Sequence, residues 1–477
     1  MGRGIGRRAV LVAVPPVLAG CSWLTPAATT SGISLPDRLS AADAGAPVRW
    51  PDPHWWRGFG SPELDRLMAQ AIAANTDIAA AVARVRQADA QLRIAGAALL
   101  PTVDLSGQAT RQQSTFITSG PFTTTSARTR VTSRDSLSLA ASYEVDFWGK
   151  NRAQTEAAQR TAAATRFDVG TVTLTTQASV ANTYFALLAA QEQLAIQRTN
   201  LDIATRVLGV IRQRLAVGTG TGLEVAQQEA VVAQQRAQIP PLEQAVAQNR
   251  NSLGTLVAQP PETLELRGGG FNRLTVPEVS PGLPAEILTR RPDVLAAEAN
   301  LAAANANVVV ARAQLLPSIT LTGAGGFQSA ALETLLRPES LIFNIAAGLT
   351  QPIFRGGALR GQVQLTEAQA EELLAGYRGA IISALVDAEN ALVALQRTTE
   401  QERLQAEAVR MAERAYAISE EQLRAGTIDL ITLLNTQQTL FTARNALVQA
   451  RLARLQAAVG LFRALGGGWN TPISIYR

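Results

Sequence analysis

The 477-residue chain holds one cysteine, one histidine and three methionines. A disulfide framework, a thiolate cage and a histidine-lined metal site are therefore each short of ligands. Lysine is equally scarce: Lys150 is the only one, so no lysine-bearing phosphate loop can form away from it. Aromatics make up 5% although 47% of residues are hydrophobic, and much of the apolar count is alanine. Small residues at that density favour long, closely packed helices over a bulky core. No nucleophile elbow, metal constellation or nucleotide loop is present, which sets an enzyme aside. His54 has no second histidine with which to share a metal and is assigned to surface or packing.

The formal charge of +5 does not mark a nucleic-acid binder. Arginines are scattered among Glu and Asp along helical stretches such as 397–424, with no basic stripe interleaved with aromatics. Arg3, Arg7 and Arg8 precede an apolar run, 9–19, that ends in Leu18-Ala19-Gly20-Cys21. The run is too short to span a bilayer and is interrupted by Pro15 and Pro16, so it reads as a secretory signal closed by a lipobox. Cys21 is then the expected lipidation site, carrying diacylglycerol and palmitate, with no other cofactor. Ser22, rather than Asp, points to outer-membrane sorting. Cleavage removes the three arginines and leaves 5 − 3 = +2. Beyond the signal, the best candidate for a membrane helix, 380–395, contains Asp387 and Glu389.

The chain repeats itself. Residues 75–110 align with 291–326 at an offset of 216 (293 − 77), bringing Asp77 onto Asp293 and Leu99-Leu100-Pro101 onto Leu315-Leu316-Pro317. From Leu137 onward the offset is 208 (357 − 149), bringing Gly218-Thr219 onto Gly426-Thr427. The difference falls in the Ser/Thr-rich segment 111–135, expected to be the longer of two equivalent loops. The predicted organisation is a signal peptide, 1–20; a lipidated N-terminal extension, 21–60; a first repeat of helix, β-hairpin and long helical hairpin, 61–258; a Pro/Gly-rich connector, 259–284; a second repeat, 285–468; and a tail, 469–477.

Within each repeat a helical pattern (65–98; 285–313) stops before Leu-Leu-Pro. Apolar/polar alternation follows over 102–110 and 136–147, with similar segments at 318–327 and 342–353, which predicts half-buried strands. Their lengths suit the ~9 to 11 residues of a tilted outer-membrane strand. Leu187, Leu194, Leu201, Leu208 and Leu215 then recur every seventh residue, and a second such series runs Leu434, Phe441, Val448, Leu455 and Phe462. A helix over 151–215 is expected to turn back at 218–222, as its partner does at Gly426-Thr427, and Pro240-Pro241 must disturb the first return helix only.

Four strands cannot close a barrel, and an open edge in lipid leaves backbone groups unsatisfied. Eight strands from two chains would be filled by side chains, whereas twelve from three begin to leave a lumen. The expected fold class is an α+β membrane protein: a homotrimer sharing a twelve-stranded β-barrel, four strands per chain, continued by a long periplasmic α-helical coiled-coil barrel.

Trp55-Trp56-Arg57-Gly58-Phe59, Tyr143-Glu144-Val145-Asp146-Phe147-Trp148-Gly149, Leu288-Thr289-Arg290-Arg291-Pro292-Asp293, Gln351-Pro352-Ile353-Phe354-Arg355-Gly356-Gly357 and Ala464-Leu465-Gly466-Gly467-Gly468-Trp469 occur in that order. Together they resemble the TolC-like outer-membrane efflux proteins, specifically the NodT-type lipoprotein channels of RND pumps. The resemblance implies an exit channel for small molecules such as drugs, embedded in outer-membrane lipid of a Gram-negative bacterium, and docking to a periplasmic adaptor and an inner-membrane RND-type pump.

Such channels commonly place carboxylates at the closed helical end. The resemblance makes Asp429, Thr432, Asn435, Thr221, Glu224 and Gln227 aperture candidates, although Asn435 stands where these channels usually carry Asp. Asp429 has a second reading as a helix N-cap. Gly218, Thr219, Gly426 and Thr427 are adaptor-contact candidates, or glycines that merely permit the turn. The same scaffold also serves metal-ion efflux and type I protein secretion. A non-pore periplasmic coiled-coil scaffold is the alternative of a different class.

Overall fold

The computed structural model describes residues 24, 30–40, 48–120, 123–268, 270–279, 284–467 and 469, with the side chains of 117–128 left aside. The signal peptide and Cys21 lie outside the described residues. Two compact units are built from interleaved segments: one from Met1–Ser31, Ala88–Ala162 and Ala299–Ala375, the other from Gly32–Gln87, Ala163–Glu298 and Gly376–Arg477.

The elements follow the repeat. Helices α1 (Pro62–Ala74) and α2 (Thr76–Ala97) precede strands β1 (Thr102–Gly120) and β2 (Thr123–Val145). Then come α3 (Lys150–Ala216), α4 (Gly222–Ala237) and α5 (Ile239–Leu256). The second copy runs α6 (Pro284–Arg290), α7 (Pro292–Ala313), β3 (Ser318–Ser329), β4 (Leu341–Thr350), α8 (Ala358–Arg424) and α9 (Leu430–Ala464). Helices α3 and α8 are each 67 residues long, roughly 100 Å at ~1.5 Å per residue.

Three expectations about boundaries are corrected. The helix expected over 65–98 is broken at Asn75, and that over 285–313 at Arg291, the equivalent position. Asn75 leaves helical geometry (ψ 131°), and its Oδ1 accepts from the N–H groups of Asp77 and Ile78 at 2.9 and 3.1 Å, starting α2 afresh. Arg291 precedes Pro292, whose ring disfavours helical geometry in the residue before it. Residues 111–120 and 123–135 are strand rather than loop. The β1–β2 ladder continues unbroken from Thr110↔Arg134 to Thr118↔Ser126, because a Thr-rich hairpin needs no buried face to pair its backbone. At the other end β2 stops at Val145, where Asp146 turns to accept from Asn151 and Arg152, and β4 stops at Thr350, since Pro352 has no N–H to offer a ladder; both fall short of the expected 147 and 353.

The core of the second unit is helical and aromatic. Trp55 stacks on Phe462 with centroids 5.0 Å apart, and Phe59 packs on Phe185 at 5.0 Å. Gly58 allows this: a Cβ there would lie 2.7 Å from the Pro277 ring. Both heptad series contribute, Leu187 and Leu208 from the first and Phe441, Val448, Leu455 and Phe462 from the second, while Leu215 near the turn is exposed. Pro240-Pro241 splits the return helix of the first copy into α4 and α5 at Gln238, whereas α9 runs its full 35 residues. By length and hydropathy α7 and a stretch of α8 are apolar enough to cross a membrane, beyond what the sequence reading anticipated. Half of that α7 window is buried in the protein itself.

Candidate functional site: pore wall and hairpin tips

The sheet of the first unit is antiparallel throughout, in the order β1-β2-β3-β4, so β1 and β4 are both open edges. Its register fixes two faces. Val103, Ala141, Gly323 and Ile345 lie across one row of one face, and Leu105, Leu139, Gly325 and Phe343 across the next. The opposite face carries Asp104, Ser106, Gln108, Ser138, Thr320, Thr322 and Asn344. Among the described residues nothing covers the apolar face: Phe343 and Ile345 are 82% and 84% exposed. From Val145 to Leu137 this face spans roughly 27 Å at ~3.4 Å per residue, the height of a membrane barrel's apolar band before tilt. On the polar face Ser106 and Ser138 join their hydroxyls at 2.9 Å. Such a sheet is amphipathic on the pattern of a lipid-facing wall with a wet interior.

All four strand ends that lead to helices lie at one end of the sheet, where Val145 pairs with Ile319 and Ser318 with Thr350. That corner is held by the Asp146-Phe147-Trp148-Gly149 motif. Asp146 accepts from the N–H groups of Asn151 and Arg152, each at 2.9 Å, and caps α3. Burial raises the Asp146 carboxyl, but these N–H groups and the Arg152 guanidinium outweigh it and hold the group below the usual carboxylate range. Trp148 Nε1 donates to the Pro317 carbonyl at 2.7 Å, whereas Phe147 is 62% exposed.

The helical tips of the two repeats have one geometry. Gly218 and Gly426 are left-handed, with φ of 79° and 72°. The Thr219 N–H donates to Arg214 O at 2.9 Å and the Thr427 N–H to Gln422 O at 3.0 Å, closing each helix five residues back. The aperture candidates start the return helices. Thr221 and Glu224 form a reciprocal capping box, and Asp429 accepts from the Thr432 N–H at 2.9 Å. Hydrogen bonds from Thr432, through its side chain and its N–H, lower the Asp429 carboxyl. Asn435 is exposed and Gln227 half-buried. Behind the tips, Tyr416 packs with Ile203, Val207, Leu433 and Phe441; burial, with Glu420 nearby, pushes its hydroxyl up to about 12.

Three features escaped the sequence reading. Arg291 is buried and holds Asp293 bidentately at 2.6 and 3.0 Å. It also reaches Asp387 Oδ2 at 3.1 Å, tying α7 to α8. Burial raises the Asp293 carboxyl, but Arg291 outweighs it and holds the group low. This node borders a cavity of ≈ 430 Å³ lined also by Thr171, Thr175 and Arg463. Gly326 lies against the Leu137 carbonyl, and a Cβ there would also sit 2.6 Å from Ser138 Cα. Gln197, Asn200, Gln228 and Gln437 are buried amides in the helices, which the heptad pattern alone does not reveal. Among the described residues no cluster of three or more His, Cys, Asp or Glu is placed to hold a metal.

Residues 67–259 and 283–467 match the family described as Outer membrane efflux protein. The chain belongs to that family. It is 42% identical over 458 residues to the pyoverdine export outer membrane protein OpmQ of Pseudomonas aeruginosa, covering 95% of this chain and 96% of the other. It is 30% identical to the toluene efflux pump outer membrane protein TtgC of Pseudomonas putida, with 95% and 94% covered. Among solved structures, the outer-membrane channel OprN superposes with a TM-score of 0.86 at 26% identity, over 92% of this chain and 98% of that one. The open state of the Neisseria gonorrhoeae MtrE channel gives 0.83 at 26%, over 93% and 98%. This efflux protein is therefore an outer-membrane exit channel with the TolC-like fold, not an enzyme. The exposed apolar sheet face has the composition of a lipid face and the polar face that of a lumen wall.

Proposed function

We propose that three copies close the twelve-stranded barrel by pairing β4 of one with β1 of the next, and that the channel is a NodT-type lipoprotein anchored through Cys21. It receives cargo from a periplasmic adaptor and an inner-membrane RND-type pump. The observation that carries this reading is the pair of unpartnered edges on a sheet whose apolar face is bare. An open edge in lipid is prohibitive, and closure by identical neighbours removes it. The repeats, 61–258 and 285–468, supply equivalent staves joined by the connector 259–284. The tips at Gly218, Thr219, Gly426 and Thr427 are the adaptor contact, and Thr221, Glu224, Gln227, Asp429, Thr432 and Asn435 surround the narrow end.

For cargo we favour small secreted molecules of the pyoverdine kind over solvents, because the pyoverdine-export relatives are 42% and 41% identical and the solvent-pump relatives 30%. Deleting the gene and following both siderophore export and a drug, solvent and metal sensitivity panel tests the reading. Retained siderophore in the periplasm supports it. Unchanged export and unchanged sensitivity, in a strain without a redundant channel, overturn it. Heat-modifiable migration of the extracted trimer separates a barrel from a pore-free scaffold, and mass spectrometry of the N-terminal peptide tests acylation of Cys21.

A further inference from the structure

The β1–β2 hairpin overhangs the rest of the sheet. β3 pairs with β2 only as far as Asp135↔Ser329, yet β1 and β2 continue to pair through Thr118↔Ser126. The apolar rows end at about the same level, so the overhang stands beyond the lipid band, at the end remote from the helices. Its composition is one-sided: residues 110–134 contain Arg111, Arg128, Arg130 and Arg134 and no Asp or Glu.

The register places these charges unequally. Arg134 lies opposite Thr110 and Arg130 opposite Ser114, in the rows that continue Gln108 and Ser106, which form the lumen face. Arg111 lies opposite Ser133, in the row that continues Leu105 and Val103, which form the lipid face. Arg130 and Arg134 are both exposed, four residues apart and so roughly 14 Å along the strand. Neither makes an ion pair within the described residues. Asp135 belongs to the other face, and among the described residues neither Glu333 nor Glu339 of the β3–β4 connection, which also carries Arg337, forms an ion pair with Arg130 or Arg134. The next carboxylate on the lumen face is Asp104, six residues below Thr110, roughly 20 Å away.

We propose that Arg130 and Arg134 form an anion-attracting vestibule at the outer mouth of the channel, supplied three times over by the trimer, which draws multiply charged anionic solutes out of the barrel. An unpaired row of guanidinium groups on a concave wall raises the local concentration of anions, and planar guanidinium groups suit carboxylate and phosphate groups in particular. The inward row argues for a solute in the lumen rather than lipid phosphates, which Arg111 faces. The inference rests on the channel reading, because that reading decides which face is inside.

The test is single-channel recording of the purified full-length trimer in planar bilayers at low salt, with pyrophosphate added to the hairpin side. Pyrophosphate is expected to block from that side in a voltage-dependent manner. Arg130→Gln with Arg134→Gln should raise the half-blocking concentration at least tenfold and shift the KCl-gradient reversal potential toward cations. Arg130→Lys with Arg134→Lys should retain most of the block, and Arg111→Gln should leave it unchanged. Conducting channels whose block and reversal potential ignore the double Gln variant overturn the vestibule alone. An equal loss with Arg111→Gln overturns the assignment of faces. A preparation that inserts but never conducts overturns the channel reading and the vestibule with it.

Discussion

Thr221 and Asp429 occupy the same place in the two repeats and perform the same act: each accepts a hydrogen bond from the backbone N–H three residues on, Glu224 at 3.3 Å and Thr432 at 2.9 Å. Two residues proposed to face the aperture are thus also the N-caps that start the return helices. Removing either cap exposes orphan N–H groups in the first turn. Asp429→Ala should accelerate hydrogen exchange at residues 430–433, and Asp429→Ser, which keeps a cap but not a charge, should restore protection. Conductance and cation selectivity that follow the charge rather than the protection place Asp429 at the aperture. If Asp429→Ala and Asp429→Ser conduct like the parent, the constriction is formed by other residues.

Gly326 and Gly323 make a paired test of the sheet. Both are in β3, but a Cβ at 326 would collide with the backbone of Leu137 and Ser138, whereas at 323 nothing lies within 4 Å. Gly326→Ala is expected to abolish the heat-modifiable trimer in outer-membrane extracts, and Gly323→Ala to leave it intact. Equal trimer yields from both variants would remove close strand approach as the reason for Gly326.

The Arg291 node predicts an acid transition. Because Asp293 is held below 3.8, its usual value, its contribution is fully present above that pH. The contribution is lost as the pH falls through the still lower folded-state value. Thermal unfolding of the helical domain followed from pH 4 downward should lose stability in the parent, and the loss should be shallower in Asp293→Asn. Arg291→Ala strands two carboxylates and should cost roughly 2 to 3 kcal/mol, below the range for fully buried pairs because Asp387 is half exposed.

Gln437 is 1% exposed, and among the described residues neither its Oε1 nor its Nε2 has a hydrogen-bond partner. Replacing it with leucine of similar size, Gln437→Leu, should stabilise the helical domain by about 1 kcal/mol, measured by the denaturation midpoint in circular dichroism. A lower midpoint would show that the amide is satisfied in the assembled trimer.

The fold was legible wherever one side of an element is buried in protein or lipid. Period two marked the membrane strands, period seven the helices, and Gly218 and Gly426 the turns, because each pattern reports a face that must be apolar or a backbone that must be left-handed. The overhang of β1 and β2 was not legible. A hairpin in water has no buried face, so its residues carry no alternation to read and only their backbone pairing declares them. The breaks at Asn75 and Arg291 were hidden for a different reason: Asn-Thr-Asp and Arg-Pro-Asp interrupt a helical pattern without changing its apolar face. Contacts between segments remote in sequence, such as Arg291 with Asp387 and Gly326 with Leu137, leave no local trace at all.

The split at Gln238 gives the two hairpins unequal mechanics. A load applied at the second tip travels along α9 without meeting an internal joint. The same load on the first tip meets a helix end, where Gln197 Nε2 holds both the backbone and side-chain oxygens of Gln235 at 2.8 Å. One stave of each pair behaves as a rod and the other as a jointed arm, so a pull shared equally by both tips is converted into relative bending between them.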